Sequence, residues 1–231
     1  MKTLGMIGGL SWESSILYYR LINEAARERL GGLHSADSLM YSFDFHEIEV
    51  LQAAGHWDAA TARMVDAAQR LERGGAGLVI ICSNTMHRMY DAVQASIAVP
   101  MLHIADATAA RIAAAGITRI GLLGTRYTME QDFYKGRLSA NYGLDVLVPD
   151  DAGRDTVHRI IYDELVVGQI NPASKAAYVA VMRDLVERGA QGIILGCTEI
   201  TLLVGQADTS VPVFDTTAIH AVAALEAALA P

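Results

Sequence analysis

The sequence predicts an α/β protein of two pseudo-symmetric lobes, each a mostly parallel sheet flanked by helices. Three observations carry that prediction. The chain reads twice: TLGMIGGLSWES (Thr3–Ser14), ERGGAGLVIICSNT (Glu72–Thr85) and VPMLHIADAT (Val99–Thr108) return in order as RIGLLGTRYTME (Arg119–Glu130), ERGAQGIILGCTEI (Glu187–Ile200) and VPVFDTT (Val211–Thr217). Short apolar runs alternate with longer helical stretches, the signature of β/α units. The strand runs are apolar throughout, as expected when helices cover both faces of a sheet.

The elements follow from the N-terminus. Thr3–Ile7 is an apolar strand ending at Gly8–Gly9, and Trp12–Leu30 is a helix that Ser11 can cap, with Ser14 three residues on. Leu39–Phe45 reads as a strand, followed by the charged segment His46–Glu49. Trp57–Arg73 is a helix stopped by Gly74–Gly75, Gly77–Ile81 a strand, Val99–Ile104 a strand, and Thr108–Ala115 a helix closed by Gly116. The second half repeats the order: strand Arg119–Leu123, helix Thr128–Tyr142 before Gly143, and strand Leu144–Val148 before Pro149. Helices Asp155–Val167 and Ser174–Arg188, strands Gly192–Leu195 and Val213–Phe214, and an apolar helix over Ala218–Ala230 complete it. The repeat divides the chain into a first lobe, residues 1–105 completed by the C-terminal helix 216–231, and a second lobe, residues 106–215.

Composition narrows the function. Lys and Arg number 18 against 26 Asp and Glu, a formal net charge of −8. That balance argues against nucleic acid or acidic membranes as partners, since phosphate contacts need concentrated positive charge. The two cysteines lack the spacing of a structural zinc set or a secreted disulfide scaffold, and no His/Cys/Asp set has metal-ligand spacing. The start lacks the features of a secretion signal, and no apolar run reaches the roughly 18 residues of a membrane span. A reducing cytoplasm is the expected location.

Ligands of parallel sheets lie beyond the carboxyl ends of the strands, and the polar residues of this chain collect there. Gly8-Gly9-Leu10-Ser11 has three readings: a tight turn needing glycine, a loop offering backbone N–H groups to an anion, or a dinucleotide fingerprint, which its spacing does not match. Cys197 follows the strand ending at Leu195 and precedes Thr198 and Glu199. At such a turn, backbone N–H groups and the helix field can lower a thiol pKa from about 8.5, making a usable base; a buried small hydrophobe is the alternative. The first-lobe counterpart is Cys82-Ser83-Asn84-Thr85-Met86-His87, in which Asn84 and Thr85 can donate to a carboxylate and His87 is either a proton carrier or a structural histidine. His103 near Asp106, and Asp215 near His220, read as loop or support residues. Arg126, just past Gly124-Thr125, is either a solvated arginine or a fork for a substrate carboxylate.

These strings resemble the aspartate/glutamate racemase family, close to its acidic or broad-specificity branch. The resemblance runs from GGLSWES through GGLHSA, DFHEIE, SNTMH, LHIADAT, LLGTRYTMEQDFY and GCTEI to PVFDTTAIHA, nearly the whole chain. It implies two α/β lobes forming a homodimer-building subunit, a small amino acid as substrate, and catalysis without PLP or metal, by two thiols on opposite faces of the substrate. Carried over, Cys197 is the second-lobe base and Asn84, Thr85 and Thr198 grip the α-carboxylate. Leu10, Ser11, Trp12, Gln52, Met86, Thr125, Arg126 and Glu199 then line the substrate. A weakly acidic α-proton needs a base within hydrogen-bond reach, donors for the developing enediolate, and a proton source on the other face.

The pattern breaks at the first thiol, which in the family directly precedes Asn-Thr. Counting from Gly77 and Gly192 pairs Cys82 with Cys197, whereas anchoring on Asn84-Thr85 pairs Ser83 with Cys197. Neighbouring residues at a strand end point to opposite faces, so only one enters the site. The Asn-Thr anchor holds the chemistry and favours Ser83, which implies kinetically lopsided racemisation. Two other functions share the scaffold: a one-cysteine decarboxylase of malonate-like diacids, and a non-catalytic amino acid sensor.

Overall fold

A computed structural model describes residues Met1–Ala230. The chain forms two compact units: Met1–Ile104 with the C-terminal residues from His220 onward, and Ala105–Ile219. Among the described residues no helix is long and apolar enough to cross a membrane.

The first unit is built on a parallel sheet ordered β2-β1-β3, with β1 at Leu4–Gly8, β2 at Ser38–Ser42 and β3 at Leu78–Ile81. Residue parity sorts the side chains of the strands between two apolar layers. Ile7, Val79 and Ile81 pack with Ile48 of α2 (Phe45–Ala53) and with Met64, Ala68 and Leu71 of α3 (Trp57–Arg73). Leu4, Met6, Leu78, Ile80 and Cys82 pack on the other side, with Tyr18 and Ile22 of α1 (Trp12–Leu30) and with Ala221, Ala224 and Leu225.

Three elements of this unit differ from the sequence reading. The segment His46–Glu49 lies inside α2, because the Asp44 side chain accepts from His46 N and caps a helix there. Residues after Asn84 are helical: a 3-10 turn over Thr85–Met89 runs into α4 (Tyr90–Ala95). Val99–Ile104 is not a strand, and pairs with the sheet only through one bridge, Val79 to Met101. Pro100 has no N–H to extend the ladder; its carbonyl accepts from Val79 N at 3.0 Å, and Leu102 N returns a bond to Val79 O at 3.3 Å.

The second unit holds a parallel sheet ordered β5-β4-β6-β7, with β4 at Arg119–Gly124, β5 at Asp145–Leu147, β6 at Ile193–Gly196 and β7 at Val213–Asp215. α5 (Ile104–Ala114) leads into it, starting a turn earlier than expected. The expected helix Thr128–Tyr142 is two helices, α6 (Arg126–Glu130) and α7 (Lys135–Tyr142), interrupted by extended backbone at Gln131. The break accompanies the complete burial of Tyr134. α8 (Asp151–Asp163) begins at the Asp150 cap, which accepts from Gly153 N at 2.8 Å, and a 3-10 turn over Leu165–Val167 ends at Gly168. α9 (Pro172–Glu187) packs Tyr178, Met182 and Leu185 against Ile193 and Leu195 of β6. α10 (Thr216–Leu229) is the last helix among the described residues.

Backbone geometry at Gly9 sets the first loop. Its φ is +68°, and a Cβ there would sit 2.3 Å from both N and O of Phe43. Gly9→Ala is therefore expected to cost about 2 kcal/mol or more, from left-handed strain plus displacement of the Phe43 backbone. Urea denaturation checks it, and unchanged stability would show that the loop does not need glycine.

Candidate active site

In the first unit, two polar segments leave adjacent strands at the same sheet edge, since β1 and β3 are parallel with Ile7 opposite Ile81. After β1, Gly9 N donates to Ser15 Oγ at 2.7 Å, and Ser15 Oγ donates to Ser11 O at 3.1 Å. Ser11 caps α1 by accepting from Ser14 N. These bonds hold Leu10 and Ser11 in a buried turn, while Trp12 is 63 % exposed on the first turn of α1. After β3, Asn84 and Thr85 are buried at the start of the 3-10 turn, where Met86 N lies 3.5 Å from Ser83 Oγ. Met86 packs its side chain into the apolar layer with Ile81, Val93 and Met64, so what remains for a ligand is its main chain. Gln52 is buried on α2.

Cys82 and Ser83 part company at the end of β3. Cys82 N still completes the ladder to Ile7 O at 2.9 Å, and its side chain, 0 % exposed, lies in the layer with Leu4, Met6 and Ile80. Burial alone pushes its thiol pKa far up. Ser83 is only half-buried. It has the parity of Val79 and Ile81, which face α3; Cys197 has the parity of Ile193 and Leu195, which face α9.

In the second unit, Gly124 of β4 lies opposite Gly196 of β6, so Thr125 and Cys197 leave neighbouring strands at one edge. A Cβ on Gly196 would meet Leu123 O at 2.8 Å, and one on Gly124 would meet Gly196 O at 3.0 Å, so glycine at both positions permits this close approach. Thr125 caps α6 through Thr128 N. Arg126 N donates to His158 Nδ1 at 3.2 Å, and the Arg126 guanidinium forms an exposed ion pair with Asp155 at 2.6 Å. The structure thus gives that arginine a carboxylate partner within the protein. A 3-10 turn over Thr198–Leu202 follows Cys197, the counterpart of the turn after Ser83.

Cys197 Sγ donates to Glu199 Oε2 at 2.9 Å, and Thr198 Oγ1 donates to the same oxygen at 2.7 Å. The thiol pKa is raised well above the ordinary cysteine range by burial, then by the Glu199 charge and hydrogen bond. The expectation of a thiolate stabilised by the turn is thereby corrected. The main-chain N–H groups of Thr198 and Glu199 do favour the anion, but burial and the carboxylate outweigh them. At rest the group is a thiol with a proton acceptor beside it.

The chain as a whole is similar to known proteins. The family model for Asp/Glu/hydantoin racemases matches residues 7–224. The chain belongs to the Asp/Glu/hydantoin racemase family. As a member it is an enzyme, an amino acid racemase. It is 26 % identical to the broad-specificity amino-acid racemase RacX of Bacillus subtilis over 162 residues, 70 % of this chain and 69 % of that one. A solved Asp/Glu racemase candidate from Yersinia pestis is 56 % identical with a TM-score of 0.94, covering 100 % of both chains. A solved aspartate racemase homologue from Pyrococcus horikoshii is 38 % identical with a TM-score of 0.85, covering 99 % of each. The α/β architecture of two parallel sheets flanked by helices is thus that of the racemase family.

Sequence reasoning missed two features of this racemase. Met86, Met89 and Val93 are spaced as one helical face, a signal for the buried turn and α4 that the polar SNTMH string obscured. The turn also carries Arg88, whose guanidinium stacks 4.4 Å from the Trp57 ring and lines a 520 Å³ cavity with His56 and Asp58.

Thiol chemistry reads out the placement of both cysteines. In the native protein, iodoacetamide is expected to leave Cys82 unmodified and to alkylate Cys197 slowly at pH 8, about tenfold faster for each unit of pH below its pKa. Glu199→Gln removes a neighbouring charge, lowers that pKa and should speed the reaction. Peptide mass spectrometry gives both rates, and labelling of Cys82 ahead of Cys197 would contradict this placement.

Proposed function

We propose that the protein racemises aspartate or glutamate without a cofactor, with Cys197 as the base for the α-proton and Ser83 as the proton donor to the opposite face. The observation that carries the Cys197 role is its thiol bonded to Glu199. Passing the thiol proton to that carboxylate generates the thiolate. The thiolate then takes the α-proton: the C–H bond breaks, an S–H bond forms, and the electron pair moves into the α-carboxylate as an enediolate. Asn84, Thr85 and Thr198 donate to that developing charge. The Ser83 hydroxyl supplies a proton on the other face and is reprotonated from water, and Glu199 returns its proton to the solvent, which restores the resting thiol and carboxylate.

What supports Ser83 over Cys82 is burial and parity: Cys82 lies within an apolar layer, and Ser83 shares the strand face that Cys197 uses in its own unit. A hydroxyl is a far weaker acid than a thiol, so removal of a proton by Ser83 is slow and turnover from one enantiomer dominates. The asymmetry is kinetic, since the equilibrium between mirror images is one. Arg126 takes the distal carboxylate in this reading. Its pair with Asp155 is exposed, a class of interaction worth about 0–1 kcal/mol, so exchanging that partner for substrate costs little. Leu10, Ser11, Trp12, Gln52, Met86 and Thr125 complete the substrate's surroundings, and the resemblance adds a homodimer in the cytoplasm, which light scattering and fractionation test.

A chain with one partly exposed thiol, Cys197, beside a wholly buried Cys82 also fits decarboxylation of a malonate-like diacid, where one proton donor suffices. Measuring CO2 release beside chiral chromatography separates the two reactions.

Cys197→Ala is expected to abolish exchange of the substrate α-proton with D2O, and persistent exchange would remove Cys197 from the base role. Arg126→Met should raise KM for aspartate and glutamate about tenfold or more while leaving alanine turnover little changed. An equal effect on all three amino acids would place Arg126 outside the substrate's side-chain site.

A further inference from the structure

We propose that His87 is a positioning residue for proton delivery: bonded at both ring nitrogens, it fixes the peptide that carries the Ser83 hydroxyl. The inference rests on the assignment of Ser83 as donor. His87 Nδ1 lies 2.7 Å from the Ser83 carbonyl oxygen, which can only accept, so Nδ1 carries the proton. Nε2 lies 3.2 Å from Ile104 N, whose N–H can only donate, so Nε2 is the lone-pair nitrogen. The two bonds together select one neutral tautomer.

The surroundings enforce that choice. His87 is almost wholly buried, with the His103 ring centroid at 4.6 Å, that of His220 at 5.5 Å and that of Tyr90 at 6.2 Å. His220 is fixed in the opposite tautomer: its Nε2 donates to Leu102 O at 3.1 Å and its Nδ1 accepts from Tyr18 OH at 2.8 Å. Burial and the two neighbouring histidines hold the His87 pKa well below its usual value, and burial takes His220 down to about 4. A protonated His87 would also set two donors, Nε2–H and Ile104 N–H, against each other. The ring is thus a neutral strut between the Ser83 peptide and the start of α5.

Such a strut matters because proton delivery needs the hydroxyl within hydrogen-bond reach of the α-carbon's far face, and a misplacement of about 1 Å can cost about 10²-fold. A residue that merely filled space would affect both half-reactions alike. A residue that places Ser83 affects delivery and spares abstraction by Cys197.

The experiment follows L-aspartate and L-glutamate in D2O with the full-length enzyme. Proton NMR gives loss of the α-proton, chiral chromatography gives the D-enantiomer, and their ratio is compared among variants. His87→Asn places an amide donor near the Nδ1 position and is expected to keep a ratio close to the original. His87→Gln reaches the Nε2 position without a donor for Ser83 O, and should raise exchange relative to racemisation about tenfold or more. Ser83→Ala should raise it at least as much. Equal ratios in the Asn and Gln variants, or an unchanged ratio in the Gln variant while Ser83→Ala raises it, would overturn the His87 role and leave Ser83 in place. An unchanged ratio in Ser83→Ala overturns the Ser83 reading, and this one with it. Should the Gln variant not fold, nitrogen-15 NMR of the unsubstituted protein decides: protonated Nδ1 on His87 is expected, and an Nε2–H tautomer contradicts the strut.

Discussion

Close backbone approach at the carboxyl ends of the parallel strands is the constraint on which the rest of the structure depends. In the second unit, Gly124 and Gly196 face each other with no room for a Cβ between a strand and its neighbour's carbonyl. In the first, Gly9 lies against the Phe43 main chain in a conformation that favours glycine. Each approach lets a turn leave its strand at once, and the residue after the turn opens a helix with a side-chain cap, Ser11 in one unit and Thr125 in the other. Polar groups then emerge at one edge of a sheet whose interior is apolar. Burial there also raises the pKa of both cysteine thiols.

Burial also bears on the choice of chemical groups. Asn84, Thr85 and Thr198, the carboxylate donors of the proposed function, are buried and neutral, so they place no positive charge out of reach of water. The charged pairs lie largely at the periphery, as with Arg126 and Asp155 or Arg119 and Asp145, where water screens them. Glu199 is the exception, a buried carboxylate held by the hydroxyl of Thr198 and the thiol of Cys197 on one oxygen.

The sequence made the architecture legible because its signals are local and repeated. Apolar runs between glycines became β1, β3, β4 and β6 within a residue or two. Signals that depend on a partner elsewhere were harder to read. Pro100 hid the failure of a strand, because the missing ladder bond matters only once β3 lies alongside. The stretch over Thr128–Tyr142 reads locally as one helix, and its break at Gln131 accompanies the burial of Tyr134. At the candidate site, the sequence displays the residue types and their order, including a cysteine one position ahead of Ser83-Asn84-Thr85. The raised Cys197 pKa was not legible there, because burial and the rotamer of Glu199 belong to the fold rather than to the motif. Nor was the bond from His87 to Ser83, since a histidine's partner cannot be read from spacing.

Both thiols of this chain are protonated at rest, Cys82 by burial alone and Cys197 by burial together with a carboxylate. Peroxide attacks the thiolate and leaves the thiol largely alone, so a resting Cys197 is a poor target for sulfenic acid formation. In the proposed mechanism the reactive sulfur forms chiefly during turnover, when substrate occupies the space an oxidant would need. An enzyme that works by the proposed mechanism carries its working cysteine through oxidative stress without a disulfide to shelter it.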